Sequence, residues 1–574
     1  MNKKNSHVPI EGSELPIILN SDKVGPAKSS DIIEVDLYLR VKESSPGLPS
    51  LENMINTSLS QREHLSENEF EKLYGADTDD MLQVIEVALE YGLSVVYANL
   101  IQGSIRLSGA VKDVNDAFNI DLYVFKDKTL HFSFMGYEGP VSIPKKLGGI
   151  VVGVFGLCNY ASCQPNIRGP IIHFAPRWLT DLKEVEFNLS PFFTPSQVAE
   201  AYNFPKPPDA TGKGQTIGLI ELGGGYLCDT LKEYFYTLNL IENRNRENLL
   251  KVPTIVDVNC GADNSPGDNW QYDMEVCANI EVAGAIANDA TLVMYFGKEE
   301  LDDSGFLRAL TTAVCDFENN PTIISISWGS KEENHSEMFK SVMNRLFQLA
   351  ASRNITVCVA TGDTGSSDCC NPLFPPDDDK AHVDFPSSSP WVLACGGTWL
   401  QIEESKKEVV WNDGKIIGAT GGGVSNFFAC PAYQSQSGIS PRHVDSNRVG
   451  RGIPDVAGNC SWQSGYFLKS NNGPFSFGAG TSLVAPLWGA LIALLNEKLS
   501  KELKVPIQLG FINDRLYQIK EYKGTFNDIT KGDNANIPPV QGYEAGKGWD
   551  ACTGLGTPNG DKIYEALREI LKKT

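Results

Sequence analysis

Long uninterrupted apolar runs are absent from this chain of 574 residues, so we expect no membrane-spanning segment and no membrane partner. The first twenty residues, MNKKNSHVPIEGSELPIILN, begin with basic residues but lack the continuous apolar core of a signal peptide. The start of the chain therefore leaves the cellular compartment open.

Positive charge is also in short supply. The chain has 49 lysines and arginines against 71 aspartates and glutamates, which gives a net charge of -22. The phosphates of nucleic acid would be repelled by such a surface, so nucleic acid is not an expected partner. The same surface loses charge as the pH falls, which is compatible with an acidic habitat.

Cysteine is present without a pattern. The thirteen cysteines are scattered and odd in number, without the spacing of metal ligands, and only Cys369 and Cys370 are adjacent. This distribution is not that of a disulfide framework, so we expect several thiols to stay free.

The length of the chain predicts two or more domains. Residues 1–30 are polar and suggest an irregular tail. Strand and helix patterns alternate compactly over 31–157, as in a small α+β domain, and 158–190 shows no sustained period, as in a connector. From 191 to 574, short apolar strands alternate with helices. This order predicts an α/β domain with a doubly wound parallel sheet and function at the carboxyl ends of the strands.

The sharpest local pattern is GAGTSLVAPLWGALIALLNEKL, residues 478–499, in which a glycine-rich turn precedes a long apolar helix. The turn places Ser482 at the start of that helix. Either Thr481 or Ser482 is an ordinary helix cap, or Ser482 is a nucleophile where the helix dipole favours developing negative charge. The pattern by itself leaves both interpretations open.

A nucleophilic serine needs a base, and histidine is scarce. None of the seven histidines stands in the His-Gly-Thr helix start that subtilisin uses. A carboxylate is the remaining candidate, provided that its pKa suits the working pH. Glu275 lies in QYDMEVCANIEVAGAIA, residues 271–287, an apolar stretch with helical spacing. Asn279 follows four residues later, on the same side of the predicted helix.

A third pattern, ATGDTGSSD at residues 360–368, stands at the end of an apolar strand. Its Asp363 either bonds its own loop backbone or is a protonated acid that donates a hydrogen bond to an oxyanion. The DTG triplet also occurs in aspartic proteases. That class needs two such motifs or a homodimer, and this chain has a single one.

These residues, together with motifs along almost the whole chain, resemble the sedolisins, or serine-carboxyl peptidases, and most closely the kumamolisins. REHLSENEFEKLYGA and EGPVSIPKKLGGIVVGVFGL resemble the activation propeptide of that family. The remaining matches follow in order: IELGGGY (220–226), NIEVAGAIA, SISWGS (325–330), GDTGSSD, HVDFPSSSPWVLACGGT (382–398), TGGGVSNFF (420–428), GRGIPDVAGN (450–459), GTSLVAPLWGALIALLN and GWDACTGLGTP (548–558).

The resemblance implies a subtilisin-like fold with a Ser–Glu–Asp triad and a further Asp at the oxyanion. Carried over by position, Ser482 is the nucleophile, Glu275 the general base and Asp363 the oxyanion acid. The triad Asp of the family is replaced by Asn279, which cannot ionise. We expect its amide to bond the Glu275 carboxylate and lower the pKa of Glu275. Asp273 and Glu281 face elsewhere and are not substitutes.

The resemblance also implies calcium as a cofactor, held by carboxylate and carbonyl oxygens of the kind that Ca²⁺ prefers. The matching positions are Asp528, Ile529, Gly546, Gly548 and Asp550. Glu221 and Trp328 are expected behind Glu275, and Trp328–Gly329 is expected to pair with the backbone of a bound substrate.

Together these features predict an acid-acting endopeptidase made as a zymogen, with polypeptide substrates and its own propeptide as inhibitor. The propeptide would cover the cleft until cleavage within 158–190. The alternative, from a different class, is a catalytically impaired homologue that binds peptides or acts as a scaffold. Asn279 is the residue that separates the two. The resemblance favours an extracellular location, although no signal peptide is recognisable.

Overall fold

The computed structural model describes residues 6–62, 64–128, 132–160, 163–167, 192–246, 248–298, 303–369, 378–401, 407–471 and 473–573. The processing connector predicted over 158–190 lies largely outside these residues. A subtilisin-like α/β part follows a smaller N-terminal part in which helices and strands are mixed, as the sequence predicted.

The N-terminal part is built on a four-stranded antiparallel sheet. Its strands lie in the order Ser94–Asn99, Ser104–Ala110, Ile32–Leu39 and Val151–Phe155. Leu37, Ile105 and Leu107 are buried on the two central strands. The helices of this part are Leu51–Asn56, Glu67–Tyr74, Thr78–Glu90 and Val111–Phe118. Short 3-10 turns occur at Pro16–Asn20, Leu59–Gln61 and Lys145–Leu147.

The first thirty residues are not the irregular tail that their polarity suggested. Ser21–Pro26 is an edge strand that pairs with Tyr123–Asp127, which in turn pairs with Ser133–Gly136. His7–Pro9 pairs with Ser142–Pro144. An edge strand can expose most of its side chains and still complete the backbone pairing of its neighbour, so a polar composition did not reveal it.

The larger part is organised by an eight-stranded sheet. Its strands, in spatial order, are Thr254–Cys260, Thr291–Gly297, Thr216–Leu222, Ile323–Ile326, Thr356–Ala360, Leu393–Gln401 and Lys407–Val410, with Val456–Asn459 also paired to Leu393–Gln401. All pairings are parallel except that of Lys407–Val410. The central strands are buried and almost continuously apolar, as expected for a parallel sheet covered by helices.

Two long helices bring the functional motifs to this sheet. Trp270–Ile286 and Val484–Leu503 pack against each other and against the central strands, and Asp303–Val314 and Glu337–Ser352 form a second packed pair. The remaining helices are Pro195–Ala201, Cys228–Ile241, Ala432–Ser435, Asn513–Ile519 and Gly560–Lys573, with 3-10 turns at Glu332–Asn334, Gly365–Ser367, Trp462–Ser464 and Thr481–Leu483.

Small strand pairings complete the larger part. Trp328–Lys331 lies between Gln164–Pro165 and Asp384–Phe385 in a three-stranded antiparallel sheet. The two-stranded pairs are Gly423–Val424 with Gly452–Ile453, Tyr466–Lys469 with Phe475–Gly478, and Phe526–Asn527 with Thr557–Pro558.

Within the described residues, the stretch Thr481–Leu503 is long and apolar enough to cross a membrane, which the sequence analysis did not anticipate. Ninety-four per cent of its most apolar window is buried inside the protein. Its burial is that of a core helix, and the same core surrounds the start of this helix, where Ser482 lies. Free thiols occur among the described cysteines, as at Cys260, Cys277 and Cys358, as expected from their spacing.

Candidate active site

Ser482 lies in the 3-10 turn Thr481–Leu483, which leads directly into the Val484–Leu503 helix. Neither the turn nor the helix has a side-chain cap. The Ser482 hydroxyl instead donates to Oε2 of Glu275, at 2.9 Å. Ser482 and Glu275 are both fully buried. The interpretation of Ser482 as a helix cap is therefore wrong, and its hydroxyl is paired with a carboxyl group.

Asn279 joins two carboxyl groups behind Ser482. Its Nδ2 donates to Oε1 of Glu275 at 3.0 Å and to Oε1 of Glu221 at 2.9 Å. Its Oδ1 accepts from the hydroxyl of Ser327, at 3.1 Å. Trp328 Nε1 donates to the other oxygen of Glu221, at 3.1 Å. The amide thus uses both of its N–H groups and its oxygen, so it holds the two glutamates in place without a charge of its own.

Burial sets the protonation of this network. It raises the pKa of Glu275 well above its usual range, and the neighbouring Glu221 charge adds to the rise. Burial also raises the pKa of Glu221 to about 7, although hydrogen bonds from Asn279 and Trp328 act in the opposite direction. The predicted hydrogen bond from Asn279 to Glu275 is present, but the net pKa of Glu275 is raised rather than lowered. Loss of water around two adjacent buried carboxyls outweighs one hydrogen bond from an amide.

Asp363 follows the strand Thr356–Ala360 and turns towards the serine. Its Oδ1 accepts from the backbone N–H of Thr481 at 2.8 Å and from the Thr481 hydroxyl at 2.9 Å. Its other oxygen lies against Gly480, where a Cβ atom would approach Oδ2 to 2.6 Å. Gly480 also has a φ of 125°, in the region that favours glycine. A glycine is therefore required for Asp363 and Ser482 to lie this close.

The other acids of the Trp270–Ile286 helix serve the fold. Asp273 accepts from the backbone N–H groups of Gly225 at 2.9 Å and Gly267 at 2.8 Å. Glu281 is buried and accepts from the backbone N–H of Lys469, at 3.0 Å. Neither carboxyl has a hydrogen bond to Ser482 or Glu275 among the described contacts. As the helix spacing indicated, neither one takes the place of the triad Asp that the resemblance implies at position 279.

The predicted substrate edge is paired with a segment of the chain itself. Trp328 and Gly329 are the Cα partners of Pro165 and Gln164 in an antiparallel register. The backbone N–H of Asn166 then donates to the carbonyl of Ser327, at 3.0 Å. The edge that we expected to pair with substrate backbone therefore binds an extended strand.

The predicted calcium residues lie together in two adjoining loops. Gly548 N–H donates to both carboxylate oxygens of Asp528, each at 3.1 Å, and Gly546 N–H donates to Oδ2 of Asp550, at 3.1 Å. Ile529 is buried beside them. Among the described residues, no group of three or more His, Cys, Asp and Glu side chains could hold a metal. The expected site differs from such a group, because it combines only two carboxylates with three backbone carbonyls. Oxygen donors of these two kinds suit Ca²⁺.

Comparison with known proteins identifies the family. The Pro-kumamolisin activation domain model matches residues 20–160, and the Subtilase family model matches residues 260–508. The chain is 38% identical over 553 residues to kumamolisin of Bacillus sp. (strain MN-32), with 95% of this chain and 93% of that protein covered. The chain belongs to the sedolisin family of serine-carboxyl peptidases.

Further relatives cover all or part of the chain. Tripeptidyl-peptidase sed5 of Aspergillus fumigatus is 28% identical, covering 98% of this chain and 97% of that protein. The solved structure of Pseudomonas sedolisin, a serine-carboxyl proteinase complexed with two molecules of pseudo-iodotyrostatin, has a TM-score of 0.55 at 25% identity, covering 66% of this chain and 99% of that one. This sedolisin is thus a serine-type peptidase with an N-terminal activation domain.

Ser327 and Asn166 are the site residues of this sedolisin that the sequence did not indicate. Ser327 supplies a hydroxyl to Asn279 and a carbonyl to Asn166. Its position directly before Trp328 in SISWGS was the available signal. Asn166 carries none, because its contacts with the site are made by backbone atoms.

Proposed function

We propose that this chain is the zymogen of an acid-acting serine-carboxyl endopeptidase, in which Ser482 is the nucleophile and Glu275 the general base. The proposal rests on the 2.9 Å hydrogen bond from the Ser482 hydroxyl to Oε2 of Glu275. The other oxygen of Glu275 accepts a hydrogen bond from Asn279, and this contact orients Oε2 towards Ser482. A base within this distance is positioned to take the hydroxyl proton as Ser482 attacks a carbonyl carbon.

Asp363 is the acid that stabilises the oxyanion in this proposal. It is anchored by Thr481, the residue before the nucleophile, so its position is tied to that of Ser482. A protonated carboxyl can donate a hydrogen bond to the negative oxygen that develops during attack. Asp363 must stay protonated, which limits activity from the alkaline side, whereas the raised pKa of Glu275 limits it from the acid side.

Asn279 replaces the triad Asp in position but not in proton transfer. Its hydrogen bonds to Glu275 and Glu221 keep both carboxyls aligned, and Glu221 acts as the second ionisable group of the network. A shared proton cannot pass between the glutamates through an amide. We therefore expect an active enzyme that is slower than one with Asp at this position.

An endopeptidase is favoured over an enzyme that removes tripeptides. The segment 163–167 crosses the site along Trp328 and Gly329. Counted from Asn166, which contacts Ser482, towards the amino terminus, the segment is longer than three residues. A cleft that admits an internal segment of chain does not need a free amino terminus. The same contact supports the activation domain as an intramolecular inhibitor, because the linker fills the place of substrate.

Calcium is proposed as a structural cofactor rather than a reactant. Asp528 and Asp550 would supply charge, and the carbonyls of Ile529, Gly546 and Gly548 would complete an oxygen site. Bound there, Ca²⁺ would neutralise the two carboxylates and hold their loops together.

The proposed function is tested by incubating the purified full chain at pH 3–5, the range in which carboxyls titrate, and then adding a mixed peptide library. We expect the chain to shorten by loss of its N-terminal domain and to cut internal bonds of the library. A folded chain that stays intact and leaves the library uncut at every pH from 2 to 8 would contradict the proposal.

The second candidate is an impaired homologue that binds peptides. The neutral amide of Asn279 at the triad Asp position is the observation that favours it. In that case, the library would contain peptides that bind and protect the folded chain without being hydrolysed. Restoring the carboxyl with Asn279→Asp would then convert binding into turnover.

A further inference from the structure

Five residues of the connector between the two domains, 163–167, lie across the proposed site; we call this segment the linker. We infer that the Asn166–Ile167 peptide bond is the first bond that the protein cuts when it removes its activation domain. The inference rests on the proposed peptidase function and adds the identity of one bond within the chain.

The backbone of this segment is bound as an extended substrate would be. Gln164 and Pro165 pair with Gly329 and Trp328 in antiparallel register. The next residue, Asn166, donates its N–H to the carbonyl of Ser327, at 3.0 Å. These backbone contacts fix the register of the strand relative to the serine. Only one residue of the strand can therefore place its carbonyl beside Ser482.

That residue is Asn166. Its carbonyl oxygen accepts from the backbone N–H of Ser482, at 2.9 Å. The same oxygen and Oδ2 of Asp363 both lie against Gly480, since a Cβ atom there would approach them to 2.5 and 2.6 Å. The Asn166 oxygen therefore accepts from Ser482 and lies on the same side of Gly480 as Asp363, the proposed oxyanion acid. The polarised carbonyl carbon belongs to the bond that joins Asn166 to Ile167.

The residue after the bond, Ile167, also lies against the serine turn. The Cα of Ile167 would be 3.0 Å from a Cβ at Gly480, and Ile167 is buried. The side chain of Asn166 is also enclosed, and its Nδ2 has no hydrogen-bond partner among the described residues. The Nδ2 group does not anchor the strand, whereas the backbone contacts described above do.

The step balances with water as the second reactant. Glu275 takes the hydroxyl proton as Ser482 Oγ bonds to the Asn166 carbonyl carbon. The bond from that carbon to the Ile167 nitrogen breaks, and Glu275 returns the proton to the nitrogen. Water then adds to the ester carbon and gives its proton to Glu275. The ester bond breaks, which leaves a new carboxyl at Asn166 and a restored Ser482 hydroxyl.

The test is a time course of the full chain at pH 4, with the new termini determined by mass spectrometry. The expected first products end at Asn166 and begin at Ile167. The variant Ile167→Pro adds a ring carbon to the nitrogen that must accept the proton, so we expect this product to form at least about 100-fold more slowly. Ile167→Val, which keeps the N–H, should give the same cut as the native chain.

A blocked synthetic peptide that contains residues 163–167, flanked by two alanines on each side, provides a test that does not depend on folding of the variants. The processed enzyme should cut it after Asn. A first cut at another bond, or an uncut peptide, with a mixed library still hydrolysed, would overturn the inference and leave the peptidase function standing. Failure to cut the chain, this peptide and the library together would overturn both.

Discussion

The Trp270–Ile286 helix carries two buried glutamates whose surroundings differ. Glu275 faces the Ser482 hydroxyl and the Asn279 amide, whereas Glu281, six residues on, accepts a backbone N–H from Lys469. Burial raises the pKa of both well above the usual range. The comparison shows that a raised pKa does not identify a catalytic base. The proposed role of Glu275 as a base rests instead on its hydrogen bond from Ser482.

The largest difference in turnover is expected between variants in which one of these glutamates is replaced by glutamine. Glu275→Gln removes the proposed base, and general-base catalysis contributes about 10²–10⁴ in rate, so we expect turnover of a peptide to fall by about 10³. Glu281→Gln is the matched control, because it makes the same chemical change in the same helix. It should stay within about threefold of the native turnover, as expected for a group outside the chemistry. Equal losses in the two variants would remove the distinction between the glutamates.

The next largest effect is expected when a carboxyl is placed between Glu275 and Glu221. Asn279→Asp should raise turnover, because a proton could then be shared along Glu275, residue 279 and Glu221. An Asp-to-Asn change in a Ser–His–Asp triad costs about 10⁴, the established value for serine proteases, and a Glu base has no tautomer to lose, so the gain should be smaller than that.

The pH profile should move with the same variant. A second carboxyl beside Glu275 disfavours its ionisation and raises its pKa further, so the acid limb of kcat/KM should shift to higher pH. Measurement of kcat/KM from pH 2 to 8 for both proteins checks both expectations. Identical rates and profiles would mean that Asn279 is a neutral replacement.

Stability should depend on pH through those buried carboxyls whose pKa is raised, whether or not they are catalytic. Burial raises the pKa of both Glu221 and Asp368 to about 7. A carboxyl whose pKa is raised on folding contributes stability that is present near pH 4 and lost as the pH rises towards 7. Since one pKa unit corresponds to about 1.4 kcal/mol, unfolding should become easier by a few kcal/mol between pH 5 and 8.

One acid opposes this trend at lower pH. Hydrogen bonding and attraction to His382 outweigh burial and lower the pKa of Glu333 to about 2, so its contribution is lost as the pH falls from about 4 towards 2. Maximum stability is therefore expected near pH 4–5. Urea unfolding of Ser482→Ala, which avoids self-cleavage, measures it. Stability that increases steadily from pH 5 to 8 would show that the buried carboxyls are not protonated as described.

The smallest expected effect is that of calcium. A ligand at 100 times its Kd stabilises the folded state by about 2.7 kcal/mol, so Ca²⁺ should raise the Tm by several degrees and a chelator should reverse the change. Asp528→Asn should abolish the response, whereas Asp533→Asn, an aspartate five residues further along the chain, should retain it. A Tm that does not respond to Ca²⁺ in the native chain would exclude the proposed site.

The sequence predicted those parts of the molecule that depend on side-chain pattern. The continuous apolar runs specified the parallel strands, and the spacing of Glu275 and Asn279 placed them on one side of a helix. Local motifs indicated Ser482 and Asp363 as candidates, and the resemblance to sedolisins implied their roles. The net rise in the pKa of Glu275 was not predicted, because it depends on burial and on Glu221, a residue distant in the sequence.

Backbone contacts were the other part that the sequence did not reveal. The strand at residues 21–26 and the linker across the site are both held by main-chain pairing, which any non-proline residue can make. Asn166 therefore carries no motif. Its place beside Ser482 became visible only when the three-stranded sheet around Trp328–Lys331 was assembled.

The central claim, that Ser482 and Glu275 form a peptidase site, is tested most directly by the mass of the full chain after incubation at pH 4. The native chain should lose its N-terminal domain, and Ser482→Ala should remain at its full 62.7 kDa. The two proteins should give the same melting curve before incubation, which shows that the variant is folded. Processing of pure Ser482→Ala at the native rate would contradict the claim.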